Sequence, residues 1–105
     1  MNLKKLQDEV SMWSRMNFQD QPSYRPLLGI AEEVGELCHA HLKAEQDIRG
    51  SEQSHFDAKC DAVGDIIIYL ADYCSREGID LEMALTLTWD SVKERDWIKN
   101  KENGK

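Results

Sequence analysis

Apolar residues recur along this chain in four runs with the three-to-four spacing of amphipathic helices, separated by polar stretches that carry glycine or proline. Leu3, Leu6, Val10 and Trp13 place one stripe on a first helix over about Asn2 to Asn17. Phe18 to Arg25, with Gln-Asp-Gln-Pro-Ser, breaks the pattern, and a connection this short makes the first two helices neighbours. A second helix is predicted over about Tyr24 to Gln46, with Pro26 tolerated in its first turn. The third, about Phe56 to Arg76, is the most apolar; Ser54 with Asp57 supplies an N-cap signal and Gly78 a C-terminal cap. Asp80 caps a fourth helix over about Leu81 to Trp97, in which Leu81, Leu85, Trp89 and Val92 share one face. Met83 and Leu87 fall off that stripe, as an oligomer contact or as scattered surface apolar residues. The expected fold class is all-α, a four-helix, bundle-like protomer forming one domain over 1–105.

Composition narrows the partners. The chain is 41% hydrophobic and 31% charged, as in an ordinary globular protein, and its net charge of -7 argues against a nucleic-acid polymer or an anionic membrane surface. Met-Asn-Leu-Lys-Lys leads into a charged helix with no apolar signal region, and no run approaches the roughly 18 apolar residues of a membrane span, so the expected location is cytoplasmic. Cys38, Cys60 and Cys74 lack Cys-x-x-Cys spacing and sit in apolar helical contexts, which reads as reduced core cysteines. A zinc site of Cys38, His41 and a cysteine of the next helix, with 38 and 41 on one face, is the weaker reading; His39 and His41, two apart, point to different sides of a helix, which removes a His-x-His ligand pair.

The candidate chemistry lies in two acidic stretches. In Glu32-Glu33-Val-Gly-Glu36 and Asp61-Ala-Val-Gly-Asp65, positions three or four apart share a helical face, and apolar neighbours predict that the two helices are largely buried and pack together. That would gather five carboxylates, and two charges about 4 Å apart repel by roughly 4 kcal/mol at an effective dielectric near 20. A cation is therefore expected among them. Oxygen donors without clustered His or Cys suit Mg²⁺, which takes a few carboxylates, waters and substrate phosphates. The opposing reading has the acids on solvated faces, paired with Lys or Arg. Gly35 and Gly64, each beside the acids, predict close approach of another helix backbone. The tail from Lys93, with Arg95, Lys99, Lys101 and Lys105, either offsets a helix dipole or reaches a phosphate.

Glu32-Glu33-Val-Gly-Glu36, then Gly64-Asp65-Ile-Ile-Ile-Tyr69-Leu70, then Val92-Lys-Glu-Arg95-Asp96-Trp97 with Asn100 and Gly104, resembles the MazG-like family of all-α nucleotide pyrophosphohydrolases over nearly the whole chain. The resemblance implies Mg²⁺-dependent (or Mn²⁺-dependent) hydrolysis of nucleoside triphosphates, ribo- or deoxy-, to the monophosphate and pyrophosphate by a homodimer or homotetramer. It implies Glu33, Glu36 and Asp65 as metal ligands, Glu32 as the residue that orients or deprotonates the attacking water, and Tyr69 as a substrate contact. Lys93, Arg95 and Lys99, from the same or a neighbouring subunit, would meet the outer phosphates.

One position departs from the family pattern. Glu-x-x-Asp in the second acidic helix would require Glu at position 62, where this chain has Ala62. Asp61 lies about 40° around the helix from Asp65, which places it to substitute as a ligand, with a shorter reach. Two rivals follow: a catalytically silent module that senses nucleotides or binds a protein, and a plain helical oligomerisation domain with solvated acids.

Overall fold

The computed structural model describes residues 2–105 and contains four helices, α1 Leu3–Phe18, α2 Tyr24–Gln46, α3 Glu52–Arg76 and α4 Leu81–Val92, with no strand among those residues. The all-α expectation is met. No helix is long and apolar enough to cross a membrane among the described residues.

Local chemistry sets the ends of the elements. Asn2 caps α1 by accepting from the Lys5 N–H at 2.7 Å, and Asp80 caps α4 by accepting from Met83 at 3.0 Å. The third helix begins four residues earlier than the apolar pattern predicts. Ser51, not Ser54, is its N-cap; Ser54 stands at the third helical position, and the two hydroxyls close a reciprocal capping box. Gly78 behaves as predicted: it adopts φ +70° after α3, so that the Ile79 N–H reaches back to the Cys74 carbonyl at 2.8 Å. The fourth helix stops five residues short of Trp97. Asp96 Oδ1 there accepts from the N–H groups of Ile98 and Lys99 and starts a separate turn, which closes where Gly104, at φ +73°, packs against Trp97.

The α2–α3 pair forms the most extensive contact, α1 lies across α3, and α4 touches α1 only lightly. Ala40 and Ala62, both buried, let α2 and α3 approach closely. A second cluster, Val10, Ala71, Cys74 and Leu81, holds α1, α3 and the start of α4. Gln7 clamps this end: its side-chain amide donates to the Ile79 carbonyl at 2.7 Å and accepts from the Leu81 N–H at 2.9 Å, so a buried polar residue is satisfied while it fixes the α3–α4 turn.

The fold is open. Its radius of gyration is 17.1 Å, against about 13 Å expected for a compact chain of this length. Three expectations are corrected accordingly. Along α4 only Leu81 is buried, and Trp89 is 57% exposed. Cys38 and Cys60 are exposed, leaving Cys74 as the single core cysteine among the described residues. Gly35 and Gly64 meet nothing within 4 Å of an added Cβ. The outer faces of α2 and α3, where Cys38, Cys60, Gly35 and Gly64 lie, are left uncovered by the other described residues.

Gly29 is the helical glycine that a close approach does require. A Cβ there would fall 2.5 Å from Tyr69 Cε1, so the aromatic ring rests directly on the α2 backbone. Gly29→Ala gains about 1 kcal/mol of helix propensity but overpacks by about 1–3 kcal/mol. The expected result in urea unfolding is a net loss of up to about 2 kcal/mol, with Tyr69 displaced from its place on α2.

Candidate functional site

On α2, Glu33, Glu36, Ala40 and Lys43 follow one another at spacings of three and four, and on α3 so do His55, Ala58, either Asp61 or its neighbour Ala62, and Asp65. The five-residue connection folds α3 back along α2, so these faces line one groove of about 570 Å³. Its charge is divided. Glu33, Glu36, Asp61 and Asp65 line one end, and Lys43, Arg49, Ser54 and His55 the other.

The carboxylates are close enough to influence one another. The Glu33 carboxyl is raised above the ordinary glutamate value, first by desolvation where it sits half-buried against α3, then by the charges of Asp65, Glu36 and Glu32. Among the described residues none of these acids forms an ion pair; the ion pairs present are Lys4–Asp8, Arg15–Asp20, Asp72–Arg76 and Asp90–Lys93. Glu32, Glu36, Asp61 and Asp65 are solvent-exposed, as the reading with solvated acids expects, but the Lys or Arg partners of that reading are not found among the described residues. The acids do not converge on a ready-made cage either, since no group of three or more His, Cys, Asp or Glu among the described residues is arranged to hold an ion by itself. An all-oxygen, spread-out set fits an ion that takes one or two carboxylates and completes its shell with water and phosphate.

A second cavity of about 380 Å³ adjoins the first. Trp13 and Phe18 of α1, Tyr69 and Ile68 of α3, and Arg25 and Pro26 line it, together with Gln21, Glu33, Asp65 and Asp72. Trp13 and Phe18 meet edge to face with ring centres 5.6 Å apart. Glu33 and Asp65 belong to both cavities.

Comparison with protein-family models, curated proteins and solved structures finds no match to this chain. What it can do rests on its own residues.

Of the residues singled out from sequence, Glu33, Glu36, Asp61 and Asp65 lie together in the groove, and Tyr69, 38% exposed, lies in the adjoining cavity. Glu32 is exposed and lines neither cavity, although its charge bears on Glu33. Lys93, Arg95 and Lys99 also line neither; Lys93 pairs with Asp90 at 3.1 Å, and the Lys99 N–H donates to Asp96. The cations that do line the groove, Lys43 and Arg49, were not singled out, nor was His55. For Lys43 and His55 only the helical spacing from the acids, ten residues from Glu33 to Lys43 and from His55 to Asp65, carried a signal; Arg49, in the α2–α3 connection, had none.

His55 is 7% exposed, and its Nε2 is the one buried side-chain nitrogen or oxygen without a hydrogen-bond partner among the described residues. Leaving such a group unpaired costs about 1–3 kcal/mol. Gly50 covers this ring, because a Cβ there would lie 3.2 Å from His55 Cε1 and 2.6 Å from Ser54 Oγ.

Proposed function

We propose that this chain is a Mg²⁺-dependent nucleotide pyrophosphohydrolase of the MazG-like type, cleaving ribo- or deoxynucleoside triphosphates to monophosphate and pyrophosphate. One observation carries the reading: Glu33 and Asp65 stand where the aromatic cavity meets the carboxylate groove. A nucleotide with its base among Trp13, Phe18 and Tyr69 and its phosphates in the groove has its innermost phosphate beside those two acids. Aromatic faces accept any base by stacking.

Glu33, Glu36 and Asp65, with Asp61 serving where Ala62 replaces a glutamate, are the carboxylates of which one or two at a time would hold Mg²⁺ or Mn²⁺, water and phosphate completing its shell. When bound, such an ion would supply positive charge against the phosphates and lower the pKa of a water between them and these carboxylates. Ala62 is 3% exposed at the floor of the groove, and Asp61, one residue away, is exposed and lines the same groove. Glu32, exposed and outside both cavities but close enough for its charge to bear on Glu33, would have to turn toward the groove to accept the proton from water as general base. Attack at the innermost phosphate breaks its bridge to the second, and pyrophosphate departs along the groove.

The working form in this proposal is a homodimer or homotetramer. Val34 and Leu42 on α2 and Phe56, Val63 and Ile67 on α3 are exposed large apolar residues, beside Gly35 and Gly64 that nothing in the protomer approaches. Lys93, Arg95 and Lys99 would then meet substrate only across a subunit boundary.

The test is product analysis with a panel of ribo- and deoxynucleoside triphosphates, first with Mg²⁺ and then with chelator. Monophosphate and pyrophosphate in equal amounts, abolished by chelator, are expected. Release of inorganic phosphate, or turnover indifferent to chelator, would sink the proposal. Folded, Mg²⁺-binding protein that turns over no nucleotide would favour the silent sensor, which Ala62 keeps open as the second reading.

A further inference from the structure

The groove does not end at the carboxylates. From Glu33 to Lys43 it follows α2 for ten residues, about 15 Å of helix axis, and its far end carries Lys43, Arg49 and His55 from three different segments. In a chain of net charge -7, cations gathered at one end of an acidic groove are a local reversal of the overall field. None of the three is used by carboxylates: Lys43 donates only to the Gln46 side-chain oxygen at 2.9 Å, and Arg49 makes no ion pair among the described residues. His55, enclosed beneath Gly50, keeps its buried Nε2 without a partner in the same wall.

We propose that Lys43, Arg49 and His55 form a pyrophosphate subsite, which holds the outer two phosphates of the substrate and then the pyrophosphate product. The inference rests on the hydrolase reading for the direction in which the nucleotide lies. Its chemistry is that of charge-assisted hydrogen bonds from Lys43 and Arg49 to phosphate oxygens, with the His55 ring packed in the wall behind them. The carboxylate end cannot take these phosphates without a cation between, whereas the Lys43 end accepts them directly. The groove thus sorts the substrate, with the bond to be cut at the acids and the leaving group at the cations.

Calorimetric titration of inorganic pyrophosphate in Mg²⁺ buffer tests this on the wild type, Lys43→Gln, Arg49→Gln and the double variant, with a nucleoside monophosphate as the second ligand. Arg49 is exposed and Lys43 half-buried, and neither belongs to the buried cluster that holds the helices together. About tenfold weaker pyrophosphate binding is expected for each cation removed, with monophosphate binding unchanged within about twofold. The ring ¹⁵N resonances of His55 in the wild type should shift on pyrophosphate addition. Unchanged pyrophosphate affinity in the double variant, or equal weakening of both ligands, overturns the subsite even if nucleotides are hydrolysed. Pyrophosphate binding that depends on Lys43 and Arg49, in a protein that hydrolyses no nucleotide, instead overturns the hydrolase reading and leaves the subsite standing.

Discussion

Arg76→Met is expected to destabilise the protein by about 3–5 kcal/mol, a large share of the total for a domain of this size. The Arg76 side chain is 6% exposed and donates through Nε to Asp72 Oδ1 at 2.8 Å. One terminal nitrogen donates to the carbonyls of Gln19 and Gln21 at 2.9 and 3.1 Å, and the other to Ser14 Oγ at 2.7 Å. A single guanidinium thus ties α3 to the middle of α1 and to the α1–α2 connection. Methionine fills much of the volume but leaves the Asp72 carboxylate, itself 8% exposed, without its counter-charge, and leaves a hydroxyl and two carbonyls without their donor. Urea unfolding of Arg76→Met beside the double variant Asp72→Leu/Arg76→Met separates the causes. The double variant should recover part of the loss, because removing both charges leaves none stranded. If the single variant loses less than about 1 kcal/mol, the network contributes no more than a surface ion pair. The effect should extend to function, since Gln21 and Asp72 also line the aromatic cavity, and loosening their anchor should weaken nucleotide binding.

The same network shows what the sequence could and could not reveal. Asp72 and Arg76 are four apart on one helix, a spacing that by itself suggests only an exposed helical pair. The carbonyls of Gln19 and Gln21 that bury this pair come from a connection more than fifty residues away, and no local pattern encodes that meeting. Helix periodicity did carry over: α2 spans Tyr24–Gln46 as the spacing predicts, because apolar positions and the flanking loop residues agree along its length. It misplaced the start of α3, where two serines offered competing caps, and the end of α4, where apolar spacing persists through Trp97 although Asp96 starts a new turn. The acids were legible as a cluster because each stretch is internally periodic and the two helices had to pack. Lys43, Arg49 and His55 were not, because their meeting depends on the α2–α3 turn, in which Asp47 and Arg49 both take positive φ. Burial was overestimated throughout: 41% hydrophobic composition implies a larger core than one open protomer contains. Periodicity identifies an apolar face but not whether the same chain or another copy covers it.

Glu33→Gln should reverse its effect on stability when Mg²⁺ is added and reduce hydrolysis about 100-fold or more. Without metal, the Glu33 carboxyl binds its proton more tightly in the folded than in the unfolded chain, by desolvation first and then by Asp65, Glu36 and Glu32. A group raised in this way contributes stability that is fully present below its ordinary value of 4.5 and is lost as pH rises through its raised value in the folded protein. At neutral pH, in chelator, ionised Glu33 therefore opposes folding. The neutral isostere should melt higher than wild type, and its stability should fall less as pH rises above 4.5. Saturating Mg²⁺ should invert the order. A ligand that binds only the folded state raises its melting temperature, and the wild type, with the full set of carboxylates, should gain more than the variant. Thermal melts of both proteins in chelator and in Mg²⁺, beside the nucleotide assay, make the comparison. Acids that were merely solvated would give equal melts in chelator and no specific response to Mg²⁺. Acids crowded for a metal but idle in catalysis would give the inversion without any turnover to lose. Inversion together with loss of turnover is the outcome expected of a carboxylate that holds the ion and, through it, the phosphates.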